Sequence, residues 1–232
     1  MHALISQGFE FIEVTTANHV LTIPAQLPQV PFIWQCPADL PAEYPVVLVQ
    51  EAVLNIWRMH LRAAAELGAA LMVVQFRRPE VLSDKLALID QYAALLSPLT
   101  AEARALKIQL VLRMGADHRE QLNILREIVR RVPGLAVALD LAYASYQVIK
   151  NLTREYLWDS DLAPRLAHVY AGEVAPNDAN LRLPLGCLGN FDWGRVVRDL
   201  RERYNASVTL DIGDAMPEYQ ELSRTKWLAW WG

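Results

Sequence analysis

Short continuous apolar runs alternate with longer stretches in which apolar residues recur every three or four positions, and the alternation persists along most of the chain. The runs at 9–14, 32–36, 70–76, 108–114, 136–141, 166–173 and 207–211 have strand length. They lack the strict polar alternation of a half-solvated sheet and so read as parallel strands buried on both faces. Between them the spacing predicts helices over 45–67, 84–96 with 101–106, 117–131, 152–158 and 192–204. Val49, Val53, Ile56, Leu61 and Ala64 share a face of the first, and Leu122, Leu125 and Val129 point inward from 117–131. Val196, Val197 and Leu200 do the same in the last, where Asp192 stands at the N-cap position. Gly68 and Gly134 fall where helix C-caps belong, and prolines 24, 28, 31, 37, 41 and 45 keep the early part of the chain irregular.

Strand, helix, strand with polar groups at the strand ends is the layout of a parallel α/β scaffold, in which ligands meet the carboxyl ends of the strands. The count is seven strands, and a closed (β/α) barrel has eight. Residues 2–7 read as a helix end, so the missing strand would be the first. Three explanations stay open: a barrel open at one seam, a start codon placed too late, or an edge covered by another element. An open edge invites pairing with a second chain. The C-terminal WLAWWG, with Trp227, Trp230 and Trp231, suits either a homodimer contact or intramolecular cover.

Composition narrows the class. With 232 residues, 53% hydrophobic and 21% charged, the chain is ample for one core, and a single domain over 1–232 is expected. A net charge of −4 argues against a nucleic-acid surface, which would show clustered Lys and Arg in a basic domain. The two cysteines, Cys36 and Cys187, lie in no metal spacing and are expected as buried free thiols of a reduced compartment. No basic leader with an apolar core and no run of about 20 apolar residues stands out, which predicts a soluble, cytoplasmic protein without membrane contact. The sequence contains no G-x-S-x-G, G-x-x-x-x-G-K-[ST], H-E-x-x-H or paired C-x-x-C, so it gives no support to a hydrolase elbow, a nucleotide P-loop or a zinc protease.

HVYAGE (168–173), LPLGCLGNFDW (183–193) and VTLDI (208–212) resemble the closing segments of the sugar-phosphate isomerase/epimerase superfamily, the xylose-isomerase-like TIM barrels. GFEFIEV (8–14), AAELGAALMVVQ (64–75), KIQLVLRMG (107–115) and LAVALDLAYAS (135–145) resemble earlier family segments in the same order. The resemblance implies an incomplete TIM-type barrel with one divalent metal, such as Mn or Mg, at its mouth, held by Glu, Asp, His and Glu from four successive strands. It also implies two Glu residues that move a proton between adjacent sugar carbons while the metal polarises the carbonyl.

Carried over position by position, those ligands fall on Arg113, Asp140, Tyr170 and Asp211, so only two carboxylates remain. A guanidinium cannot be deprotonated in a protein and would repel a divalent ion, which predicts no metal cofactor unless the site has been rebuilt, for instance from Asp140, Asp211, Glu13 and His168. Strand alternation, however, sets His168 a layer below Tyr170. Arg113 would pair naturally with Asp140 or Asp211. Gln35 and Gln75 replace histidines that often end the two earlier strands, and Tyr143 replaces the His of a D-x-x-H pair with Asp140. Glu173 could orient a substrate hydroxyl, and Arg182 could grip a phosphate or carboxylate.

Two functions follow from the resemblance. The first is a divergent isomerase or epimerase of a small sugar-like or sugar-phosphate-like ligand. There Asp140 or Asp211 carries the proton and Arg113 is the electrophile, with Glu13, Gln35, Gln75, Tyr143, Tyr170, Glu173 and Arg182 binding substrate. The second is a pseudoenzyme that keeps the barrel as a protein-interaction or oligomeric scaffold.

Overall fold

The computed structural model describes residues 8–15, 31–76, 84–115, 119–141, 153–175, 178–189, 191–212 and 217–232. Seven strands form one sheet, and among the described residues a further two-stranded sheet stands apart from it. The chain divides into two compact units: residues 1–113 with 127–136, and residues 114–126 with 137–232. Residues 2–7 and Tyr143 lie outside the described residues.

In the first unit, β1 (Ile12–Thr15), β2 (Phe32–Gln35), β3 (Leu71–Gln75) and β4 (Gln109–Gly115) run in sheet order. Their pairing is parallel throughout, from Thr15 beside Gln35 to Gln75 beside Arg113. α1 (Val47–Glu66) returns the chain from β2 to β3 and buries Val53, Trp57, His60, Leu61 and Ala64, while Val49 and Ile56 of the expected face are half-buried. The buried indole of Trp34 donates to His60 Nδ1 at 3.3 Å, so a polar ring meets a polar ring where both have left water. Gly68, at φ 78°, closes the helix in the left-handed conformation that glycine alone adopts without strain.

One expectation fails here. The two helices read over 84–96 and 101–106 are a single helix, α2 (Lys85–Ala105), that runs through Pro98. Proline removes a backbone donor and crowds the preceding turn, at about 3 kcal/mol in a helix interior. Leu95, Leu96, Leu99, Thr100 and Ala103 are all buried on either side of it, and that continuous face holds the helix together. α2 is tied to α1 by a two-pronged Arg58 to Glu102 pair, with contacts of 2.6 to 3.1 Å. Its buried Gln91 donates to the carbonyls of Ala42 and Tyr44, which fixes the proline-spaced segment ahead of α1.

α3 (Arg119–Arg131) follows β4, and Leu122, Leu125 and Val129 are buried as its spacing predicts. In the second unit β5 (Ala136–Asp140) leads through α4 (Thr153–Trp158) to β6 (Leu166–Ala171), and the two strands pair in parallel with Asp140 beside Tyr170. The apolar run read as one strand over 166–173 is broken at Gly172. β7 (Glu173–Ala175) turns back antiparallel on β8 (Asp178–Leu183), a hairpin that periodicity alone did not mark. α5 (Trp193–Arg203) starts at Asp192, whose carboxylate accepts from the Arg195 N–H, and buries Val196, Val197 and Leu200. It leads to β9 (Ser207–Leu210), which pairs in parallel with β6.

The tryptophan-rich end is a helix, α6 (Pro217–Trp231), packed on α5. Trp230 stacks on the buried Trp193 ring at 6.1 Å and 12°, Trp227 meets its edge at 6.3 Å, and Trp231 stacks on Trp227 at 5.7 Å. The cluster thus packs within the chain, on α5. Cys36 is buried as expected, but Cys187 is exposed because it rides the turn after β8. No helix among the described residues is long and apolar enough to cross a membrane.

Arg126 of α3 meets Asp159, which also accepts from the Asp161 and Leu162 N–H groups at 2.9 and 3.0 Å. Burial alone would raise this carboxyl, but the Arg126 guanidinium and the two N–H groups outweigh it and hold Asp159 below the ordinary carboxylate range. A depressed folded-state value means that its stabilisation is complete above the unfolded value of about 4 and is lost as pH falls through the lower folded one. Asp159→Asn should therefore lower stability by about 1.5–3 kcal/mol at pH 7, with the gap to wild type closing below about pH 4. Urea unfolding at pH 7 and pH 3.5 checks this, and an equal gap at both would contradict it.

Candidate functional site

Register places the candidate residues before any chemistry is considered. In a parallel sheet, paired residues share a face, and so do residues two apart along one strand. In the first unit Glu13, Gln35, Gln75 and Arg113 therefore lie on one face: Thr15 pairs with Gln35, Gln35 with Val73 and Gln75 with Arg113. Gln35 and Gln75 close their strands, and Arg113 is buried at 4% exposure, an unusual depth for a guanidinium. Glu13 is half-buried.

In the second unit the same rule gathers Asp140, His168, Tyr170, Ser207 and Thr209 on one face. Asp211 comes one residue after β9 and is held to β6 by its N–H on the Ala171 carbonyl at 2.8 Å. His168 occupies the lower layer. Its ring bridges to β9 through Ser207 Oγ at 2.8 Å and Thr209 Oγ1 at 3.0 Å, and its plane meets the Tyr170 ring edge-on at 4.6 Å. Both nitrogens are thus satisfied inside the sheet, which makes His168 a core histidine rather than a ligand for a rebuilt metal site.

The charge at the upper layer comes from the hairpin. Arg182, opposite Val174 on β8, places Nη2 3.4 Å from Asp211 Oδ2 and 3.9 Å from Asp140 Oδ2. The Asp140 side chain is fully buried, Arg182 is 15% exposed and Asp211 22%, so the triad opens to solvent on the Asp211 side. Sequence reasoning marked Arg182 for an anionic ligand and missed that it serves these two carboxylates, because the antiparallel return of the hairpin carries it back over the strand ends.

Glu173 explains why the hairpin holds its position. Completely buried at the start of β7, it accepts from Gly186 N–H at 2.6 Å and Trp193 Nε1 at 2.6 Å on one oxygen, and from Leu188 N–H at 3.0 Å and the Cys187 thiol at 3.2 Å on the other. Gly186, at φ 69°, supplies the left-handed backbone that aims its N–H at the carboxylate. The far side of the same turn rests on α6, where Ser223 Oγ accepts from Leu185 N–H and Lys226 donates to the Leu185 carbonyl at 2.8 Å.

A divalent ion of the kind the resemblance implies needs three or more oxygen or nitrogen donors at about 2.0–2.6 Å. The second unit offers Asp140 and Asp211 with a tyrosine between them, and a guanidinium already stands at both carboxylates. Among the described residues no group of three His, Cys, Asp or Glu converges as a metal site. The donor set does not fit the metal.

No family model matches the chain, and neither does any curated protein. Solved structures do match. A D-tagatose 3-epimerase-like protein superposes with TM-score 0.80 at 18% identity, covering 100% of this chain and 92% of its own. A sugar phosphate isomerase/epimerase from Parabacteroides distasonis gives 0.68 at 9% identity, covering 99% and 86%. A xylose isomerase-like TIM barrel protein from Mycobacterium smegmatis in complex with magnesium gives 0.62 at 14%, covering 98% and 85%. At these identities the likeness is one of fold, and the fold of this chain is that of the xylose isomerase-like TIM barrels.

Two outcomes follow from the Glu173 network. Glu173→Gln turns an amide N–H₂ toward existing donors and should cost about 2–4 kcal/mol in urea unfolding, since a buried acceptor is lost and donors are orphaned. A loss below about 0.5 kcal/mol would contradict the network. Burial first, then the Glu173 carboxylate, pushes the Cys187 thiol up to about 11. Alkylation of Cys187 by iodoacetamide, followed by peptide mass spectrometry, should therefore keep accelerating through pH 10 despite its exposure, and a plateau below pH 9 would contradict this.

Proposed function

We propose that this chain is a divergent xylose-isomerase-like barrel protein that binds a small polyhydroxylated, sugar-like ligand at the carboxyl ends of β5, β6 and β9. The observation that carries the reading is the Arg182 guanidinium spanning Asp140 and Asp211 at those strand ends. Ligands of parallel α/β folds bind at this end of the strands. The matching solved structures, a D-tagatose 3-epimerase-like protein and a sugar phosphate isomerase/epimerase, support a ligand of that class.

The three side chains divide the work. Asp140, closed off from water, holds the guanidinium from behind, while Asp211, the most exposed of the three, is the carboxylate a ligand hydroxyl meets. Arg182 presents donors that fit a carbonyl or hydroxyl oxygen. If the protein turns its ligand over, Asp211 is the proton carrier and Arg182 from the hairpin stabilises the enediolate. Asp211, where the resembling family has Glu, draws that carboxylate back by one methylene, which would make turnover slower than in a Glu-bearing barrel.

A panel of ketoses, aldoses and their phosphates tested by thermal melting decides the matter. A ligand present at about 100 times its dissociation constant adds about 2.7 kcal/mol, worth about 5–10 °C for a chain of this length. Arg182→Gln should weaken that ligand about 10- to 100-fold in calorimetric titration. A wild-type protein whose melting no member of the panel moves would defeat the reading.

A further inference from the structure

We propose that this site carries its cation in the chain: Arg182 takes the place between Asp140 and Asp211 that a divalent ion would otherwise take, so the site works without a bound metal. The inference depends on the preceding reading only for the location of the site.

Electrostatics requires something positive here. Asp140 has no exposure, and a carboxylate removed from water needs a countercharge or it is a large net cost. Asp211 follows β9, the next strand but one in the sheet, by one residue, and its Oδ2 converges with that of Asp140 on the single nitrogen Nη2. Two carboxylates converging on one positive centre is a cation site by construction. The centre in it is a guanidinium, which keeps its charge at every physiological pH.

The distances support substitution of a charge rather than a chelating clamp. At 3.4 and 3.9 Å the contacts are longer than the 2.7–2.9 Å of tight charge-assisted hydrogen bonds, so Nη2 stands between the carboxylates without closing down on either. Nor is the arm incidental. Arg182 sits in register with Val174, and the adjacent Glu173 is held by four donors from the 186–193 turn, so the backbone that delivers the guanidinium is fixed at its base. Tyr170, beside Asp140 in register, adds a phenol where a metal site would need a stronger donor.

Manganese alone, without any sugar, tests this. Titrated into wild-type protein and followed by electron paramagnetic resonance, manganese should show no stoichiometric binding up to about 1 mM, the weak end of oxygen-ligand sites. Arg182→Ala removes the guanidinium from between the two carboxylates. It should gain one manganese per chain, at least about tenfold tighter than wild type, and melt higher with the ion than without it; Arg182→Ala/Asp140→Asn should lose that gain. Arg182→Lys keeps the charge and should remain manganese-free. Stoichiometric manganese in wild type that disappears in Asp140→Asn overturns the proposal, as does manganese binding by folded Arg182→Lys or a folded Arg182→Ala that takes up none. Should Arg182→Ala not fold with or without manganese, the wild-type and Arg182→Lys titrations decide between the same two answers. Failure of the sugar panel leaves this result standing, and the converse also holds.

Discussion

The second unit depends on one buried carboxylate. Glu173 stands where the chain leaves its parallel sheet, and the four donors that converge on it come from a turn that is otherwise only irregular backbone. That contact sets the end of the hairpin and the start of α5, since Trp193, the first residue of the helix, is one of the donors. A neutral residue there would leave two N–H groups and a buried indole without the acceptor they now share. The position of Arg182 over the strand ends is a downstream result.

Much of this architecture could be read from the chain, because buried parallel strands and amphipathic helices write different periods into the sequence. The seven strands and the burial of Leu122, Leu125, Val129, Val196, Val197 and Leu200 followed from spacing, as did the cap at Asp192. What spacing could not show had specific causes. Pro98 suggests a helix break, yet a packed face of leucines on both sides overrides that local preference. The hairpin was hidden because VYAGEVA looks like one continuous apolar run, and its signals were weak: Gly172 as an interruption and Pro176-Asn177 as a turn dipeptide.

The site was legible in position more than in partnership. The resemblance set Asp140, Tyr170 and Asp211 at successive strand ends; in the structure Asp140 pairs with Tyr170, and Asp211 follows β9 by one residue. The partner of the carboxylates was not legible, because Arg182 reaches them through an antiparallel fold-back whose register no periodicity specifies. Sequence also rates an acidic residue after a strand as a ligand-facing group by default. Glu173 shows that the same residue type in the same place can instead be the internal acceptor that shapes a loop.

The tryptophan stack gives the molecule a built-in optical division. Trp230 and Trp227 each meet Trp193, and Trp231 meets Trp227, at 5.7–6.3 Å between ring centres in the second unit, while Trp34 and Trp57 are buried in the first. Stacked indoles at such separations couple their excited states, so the α5 and α6 rings add a near-ultraviolet dichroism signal of their own. Loosening of the helix that supports the 184–189 turn can thus be followed as a spectral event of its own, without a label, while the rest of the chain stays folded.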